Sequence, residues 1–198
     1  NHTSDEHPWF LASKRHKRNA FSNWYVWNKR ALDGKWILNV NGRTDMYYSM
    51  FHPSQVDLNY GLGVLSRENG NTAEDPGVRR LWKNMLGVIR YWLDLGAGGF
   101  RCDVAGGLGL KPFCTNESIN ADFWGQARKI CDSYGDRVLI GEEYKRTREA
   151  LNAWHFDLAF TKGYFKLAAD TGLNSNPFFV ETKQWIKPDY SGDPVEFD

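Results

Sequence analysis

From about residue 75 onward the sequence predicts an α/β fold of parallel strands joined by helices, and three observations carry that reading. Short apolar strand-like runs alternate there with amphipathic helical runs. Capping and turn residues punctuate the alternation. The stretch before it is aromatic, polar and irregular, with no sustained helical period.

Asp75-Pro76 reads as an N-cap followed by proline at the first helical position. Val78, Leu81, Trp82, Met85, Ile89 and Leu93 then recur at three- and four-residue steps, which predicts an amphipathic helix ending near Gly96. Residues 100–104 follow as a short strand. Phe123, Ala127, Ile130, Cys131 and Tyr134 mark a second helix, closed by Gly135. Residues 137–140 read as a buried strand ending at Gly141-Glu142, followed by a short helix over 147–153. A third strand spans 156–160 and a further helix 164–169. Strand–helix–strand order of this kind implies right-handed crossovers between parallel strands. Before residue 75, turns are expected at Asp33-Gly34, Asn41-Gly42 and Asn69-Gly70, with a few short strands and no long helix.

Composition excludes several function classes. The 198 residues carry 25 Lys+Arg against 24 Asp+Glu, a net charge of +1, so a dedicated nucleic-acid binder is not expected. No run approaches the apolar length that a membrane-crossing helix needs, so no membrane partner is expected. Three cysteines, Cys102, Cys114 and Cys131, form neither a CxxC metal pattern nor a dense disulfide framework. Aromatic residues make up 15% of the chain, which suits a large core or a surface that stacks flat ligands such as sugar rings. Each tryptophan reads more simply as core, with Trp9 the one worth testing as a sugar platform.

Parallel α/β sheets and barrels carry their chemistry on the loops that follow the C-terminal ends of strands. Asp103 closes one such strand and Glu142 the next, so both sit on one rim. Adjacent strands lie about 4.8 Å apart, close to the roughly 5–5.5 Å between the two carboxyl groups of a retaining glycosidase. Arg101, two residues before Asp103 on the same strand face, is a cation that would keep Asp103 ionised. Spacing alone fits equally well with two carboxylates that merely cap the following helices. Period-two alternation turns Glu143 to the other face, so Glu142 is preferred to it.

Other motifs carry less. His2, Glu6 and His7 are spaced one residue too long for an inverted zincin motif, and Pro8 disfavours helix before it. Gly61-Leu62-Gly63 lacks the strand and helix of a dinucleotide site. The run Gly106-Gly107-Leu108-Gly109 follows a strand but has no Lys-Ser/Thr, so phosphate binding is not expected. Asp157 reads as structural.

Four motifs in order resemble one family. Asn1-His2-Thr3-Ser4-Asp5-Glu6-His7-Pro8-Trp9-Phe10 resembles the first conserved region of the α-amylase family, glycoside hydrolase family 13. Gln55-Val56-Asp57-Leu58-Asn59 resembles its short loop signature, with Val56 in place of a usual proline. Gly99-Phe100-Arg101-Cys102-Asp103-Val104 is similar to the second region and Ile140-Gly141-Glu142 to the third. The resemblance implies a partial (β/α)8 TIM barrel, about the end of strand 3 to strand 6. Residues 1–75 would be the end of barrel strand 3 plus an irregular inserted domain, and 76–198 the incomplete βα units of the catalytic barrel.

The resemblance also implies roles. Asp103 would be the nucleophile and Glu142 the general acid/base of a retaining enzyme that hydrolyses α-glucosidic bonds in α-glucans or oligosaccharides. Arg101 would hold Asp103 ionised and oriented, and His2 would hydrogen-bond the sugar. No cofactor is required. Calcium is the one ion it brings in, because Asn1 and Asp57 match positions that bind calcium in many members. Gly107 stands where calcium-dependent members often carry His. Val104 and residues 55–59 resemble members that cleave α-1,6 links. A trehalose synthase-like transglycosylase or isomerase would share these motifs, whereas non-catalytic amylase-like domains usually lose the carboxylates. The family's Phe-x-x-x-His-Asp string, with a third carboxylate, is not found between Phe160 and Asp198. A complete barrel takes about 250 residues, so the expectation is a segment that would not turn over substrate alone.

Overall fold

The computed structural model describes residues 1–31, 35–39, 41–61, 73–108, 117–143 and 147–160. The turns expected at Asp33-Gly34 and Asn69-Gly70, the helix expected over 164–169, and Cys114 lie outside the described residues. The chain forms two units: 1–85 with 107–119, and 86–106 with 120–198.

In the first unit, β1 (His2–Ser4) is followed by α1 (Pro8–Arg15) and by the short strands β2 (Trp27–Asn28), β3 (Trp36–Leu38), β4 (Met46–Tyr48) and β5 (Gln55–Asp57). β1 pairs antiparallel with β5, and the other three form an antiparallel sheet in the order β2-β4-β3. Helix α1 escaped the periodicity reading because it is only 8 residues long. Its start was nonetheless written in the sequence. Pro8 occupies the first helical turn, where its missing N–H costs nothing, and the His7 ring nitrogen accepts from the Trp9 amide at 3.2 Å. The turn at Asn41-Gly42 is present, with Gly42 at φ 106°. A Cβ there would run into the Lys14 carbonyl, so the position needs glycine.

Most of the aromatic content of this unit is core. Phe10 meets Tyr25 and Tyr47 edge-on at 5.1 Å and stacks on Trp27 at 5.7 Å, and all four are buried. The Trp27 indole donates to the Ser13 hydroxyl at 3.0 Å, which satisfies its one polar group. Arg43 lies 4.1 Å over the Trp27 ring and is ion-paired to Asp45 at 2.7 Å. Trp9 packs edge-on against Trp24 at 4.6 Å and is half-buried.

Helix α2 (Pro76–Asp94) starts as its sequence dictates, with Asp75 Oδ1 accepting from the Gly77 and Val78 amides at 2.7 and 3.2 Å. Its Val78, Leu81, Trp82 and Leu93 are buried.

The second unit holds the parallel sheet. β6 (Gly99–Cys102), β7 (Val138–Gly141) and β8 (Leu158–Ala159) pair in that order, all parallel. Helix α3 (Glu117–Asp132) crosses from β6 to β7, and α4 (Thr147–Asn152) from β7 to β8. Both outer strands are shorter than expected, for local reasons. β6 stops before Val104, which takes the left-handed conformation at φ 45°. β8 starts late because Asp157 uses its side chain: Oδ2 accepts the Leu139 amide at 2.8 Å, while the Asp157 amide donates to Leu139 O at 2.9 Å. Arg128 of α3 ties this corner together. It pairs with Asp157 Oδ2 at 2.7 Å and donates to the Arg137 carbonyl at 2.7 Å. The core beneath is Phe123, Trp124, Ala127, Ile130, Leu139, Trp154 and Phe156, all buried. Among the described residues, no helix is long and apolar enough to cross a membrane.

Candidate active site

The C-terminal rim of the parallel sheet brings three charged side chains together at the ends of β6 and β7. Their register sets Arg101 against Ile140 and Cys102 against Gly141, so Asp103 and Glu142 are the next residue on each strand. Backbone bonds keep the pairing going past the strands' formal ends. Glu142 N donates to Cys102 O at 2.9 Å and Ala105 N to Glu142 O at 3.0 Å.

Arg101 reaches both carboxylates with one guanidinium. Nη1 is 2.5 Å from Asp103 Oδ1 and Nη2 is 2.9 Å from Glu142 Oε2. A planar fork suits this task and an ammonium would not. The two carboxylates sit in different surroundings: the Asp103 side chain is 52% exposed and that of Glu142 15%. Burial works against ionisation of Asp103. The hydrogen bonds from Arg101 and Glu142, together with the positive charge of Arg101, outweigh it and hold the carboxyl below its ordinary value. Cys102, between the two charged residues, faces inward, and burial pushes its thiol up to about 12. It is therefore no candidate nucleophile. Glu143 is buried, and its amide donates to Gly141 O at 3.1 Å.

Two features of this rim were not legible from spacing. Val104 donates its amide to Glu142 Oε2 at 3.1 Å, and it does so from φ 45°, a conformation that costs a β-branched residue about 1–2 kcal/mol. Strain of this kind persists only where neighbours enforce it, and it clusters at functional sites. Phe160, just past β8, donates its amide to Gly141 O at 2.9 Å and places its ring centroid 5.8 Å from the Arg101 guanidinium carbon. A strand-end aromatic one strand further along the rim was the only available signal for Phe160.

The remaining sequence-derived candidates lie in the first unit. β1 sets His2 opposite Asp57 of β5, and the Asn1 carbonyl accepts from Leu58 N at 2.9 Å. His2 Nδ1 is 3.3 Å from Asn1 Oδ1, and its ring lies 6.3 Å from that of Phe51. Asp57 is buried. Its Oδ2 accepts from the Met50 amide at 2.7 Å, and its Oδ1 is buried with no hydrogen-bond partner. Burial drives its carboxyl up to about 7 against the Met50 hydrogen bond. An orphaned carboxylate oxygen is what a calcium ligand looks like without its ion, but calcium takes six to eight oxygens. Among the described residues no group of three His, Cys, Asp or Glu could hold a metal. Asp57 and Asn1 thus fall short of a calcium cage on their own.

Known proteins confirm the kinship that the motifs announced. The family described as alpha amylase, catalytic domain, matches residues 1–167. The chain belongs to this α-amylase family. Among α-amylase relatives, the trehalose synthase/amylase TreS of Mycolicibacterium smegmatis is 31% identical over 158 residues, covering 72% of this chain and 24% of that protein. The oligo-1,6-glucosidase of Parageobacillus thermoglucosidasius is 32% identical over 124 residues, 57% of this chain and 19% of its own length. The chain thus spans about a quarter or less of the length of these two relatives. The crystal structure of the alpha-amylase from H. orenii superposes with a TM-score of 0.66 at 25% identity, covering 97% of this chain and 38% of that one. The parallel α/β unit is accordingly a portion of an α-amylase catalytic fold.

Proposed function

We propose that this chain carries the nucleophile and the general acid/base of a retaining glycosidase acting on α-glucosidic bonds in an α-glucan or oligosaccharide. The observation that supports this most directly is the shared guanidinium: Arg101 pairs with Asp103 and Glu142 at once, so the two carboxylates meet across one planar group. That closeness suits the short spacing of a retaining mechanism, which leaves no room for a water between the carboxylates. In this reading Asp103, exposed and held ionised, attacks the anomeric carbon. Glu142, the more enclosed of the two, hands its proton to the leaving oxygen and then takes one from the incoming water. Arg101 keeps Asp103 anionic until it attacks. His2 is assigned to sugar binding by its place in the Asn-His motif. The βα units would be barrel strands four to six, preceded by the inserted domain.

Covalent trapping tests the assignment. A fluorinated α-glucosyl fluoride incubated with the longest natural chain carrying these residues should leave one glycosyl group on the peptide that contains Asp103. A label on another carboxylate, or hydrolysis with inverted anomeric configuration, overturns it.

The similarity to a trehalose synthase/amylase supports a second reading, in which a sugar hydroxyl rather than water accepts the glycosyl group. Both readings use Asp103 and Glu142 in the same way, and chromatography of the products separates them. The Val104 position and the similarity to an oligo-1,6-glucosidase favour α-1,6-linked substrates.

A further inference from the structure

Val104 does not hold its left-handed conformation unaided. The turn that follows it, Ala105–Gly107, is gripped from helix α3. The Trp124 indole N–H donates to Ala105 O at 2.9 Å, and the Asn120 side-chain amide donates to Gly106 O at 3.2 Å, both in buried surroundings. From the other side, Ala105 N is bound to Glu142 O at 3.0 Å. The peptide groups on the C-terminal side of Val104 are thereby fixed, and its own N–H is left aimed at Glu142 Oε2 at 3.1 Å. Arg101 donates to that same oxygen at 2.9 Å.

We propose that Trp124 is a positioning residue for Glu142: its indole, through Ala105 O, holds Val104 left-handed so that the Val104 amide and Arg101 together mark Oε2 as the accepting oxygen, and the transferable proton rides on Oε1. An oxygen that already accepts two donors, one of them cationic, is a poor place for a proton. The protonated oxygen, and with it the direction of proton delivery to the leaving group, is then chosen from helix α3 through the Ala105–Gly107 turn. Without the Trp124 bond, Val104 relaxes toward negative φ, its N–H swings away, and Glu142 Oε2 loses the Val104 donor. This inference rests on the glycosidase reading above.

The alternative is that Trp124 is simply core. It is buried, with ring contacts to Phe123 at 5.1 Å and Phe156 at 5.0 Å. Trp124→Phe in the longest natural chain carrying these residues keeps an aromatic ring there and removes the donor. The readout is the ratio of kcat/KM for a 4-nitrophenyl α-glucoside, whose leaving group needs no proton, to that for an alkyl α-glucoside, whose leaving group does. Trp124→Phe should slow the alkyl glucoside about tenfold, part of the 10²–10⁴ that general acid catalysis supplies, and leave the aryl glucoside nearly unchanged. Adding Val104→Gly removes the cost of positive φ and should bring the ratio back toward that of Val104→Gly alone.

An unchanged ratio, equal losses on both glucosides, or no recovery with Val104→Gly overturns the proposal. If Trp124→Phe does not fold, Asn120→Leu asks the same question of the same turn. It gives up one hydrogen bond while deleting Oδ1, a buried oxygen with no partner. Its ratio should rise in the same direction, and an unchanged ratio again overturns the proposal. If the unsubstituted protein cleaves neither glucoside, it is the glycosidase reading itself that fails.

Discussion

Asp103 and Glu142 are held by opposite arms of one guanidinium, Nη1 of Arg101 at 2.5 Å from the first and Nη2 at 2.9 Å from the second. The two carboxylates are therefore not independent. Whatever moves Arg101 changes the ionisation of one and the orientation of the other.

Asp103→Asn should abolish α-glucoside cleavage while leaving the melting temperature within a few degrees. The side chain is half exposed and its amide replacement fits the same space, so no buried group is stranded. Initial rates and thermal melting on the same preparation check both halves. Cleavage near the parent rate removes Asp103 from the role of nucleophile.

Arg101→Gln should raise the acid limb of the kcat/KM profile. The sign follows from the ion pair: Arg101 favours the charged form of Asp103, so without it the carboxyl accepts its proton at higher pH and its ionised form is lost sooner on acidification. Arg101→Lys should restore the limb in part but not the rate, because a point charge cannot bridge both carboxylates. A rate loss on the order of 10² is expected for either variant, in the range seen when one preorganised donor is removed.

Asp57→Asn should stabilise the protein at pH 8 when a chelator is present. The folded-state value of Asp57 is raised by burial to about 7, above that of the unfolded chain. For such an acid, stability is greatest below the unfolded value near pH 4 and is lost as pH rises toward 7, because the folded form binds more protons. Asparagine removes that slope while still accepting from the Met50 amide. Melting curves from pH 4 to 8 check it. If added calcium raises the parent's melting temperature and not that of Asp57→Asn, Asp57 is a cation ligand.

Arg128→Ala should destabilise the second unit by about 2–3 kcal/mol, the range for charge-assisted hydrogen bonds in partly buried surroundings. Arg128 ties helix α3 to the Arg137 carbonyl and to Asp157, which in turn holds the Leu139 amide. Denaturant unfolding measures the loss. A change below about 0.5 kcal/mol would place the cluster with ordinary surface pairs.

Much of the fold was legible in the chain because local rules and tertiary demands agree. Asp75-Pro76 caps α2 as written, and the spacing of Val78, Leu81 and Trp82 buries the face it predicts. Asp103 and Glu142 fall on one rim because parallel strands of matched register end together. Helix α1 is not legible in the periodicity although its proline start is visible, since 8 residues make too few turns for a period to show.

What the sequence by itself determined is which residues stand at the strand ends, because side-chain alternation and strand–helix order are local properties of the chain. What only the tertiary structure decided is how those residues are aimed. Nothing near Val104 in the sequence announces a left-handed valine. That conformation is imposed by Trp124 and Asn120, more than a dozen positions away, and by Glu142 on the next strand. Intrinsic preference opposes it, so only bonds assembled by folding can hold it in place.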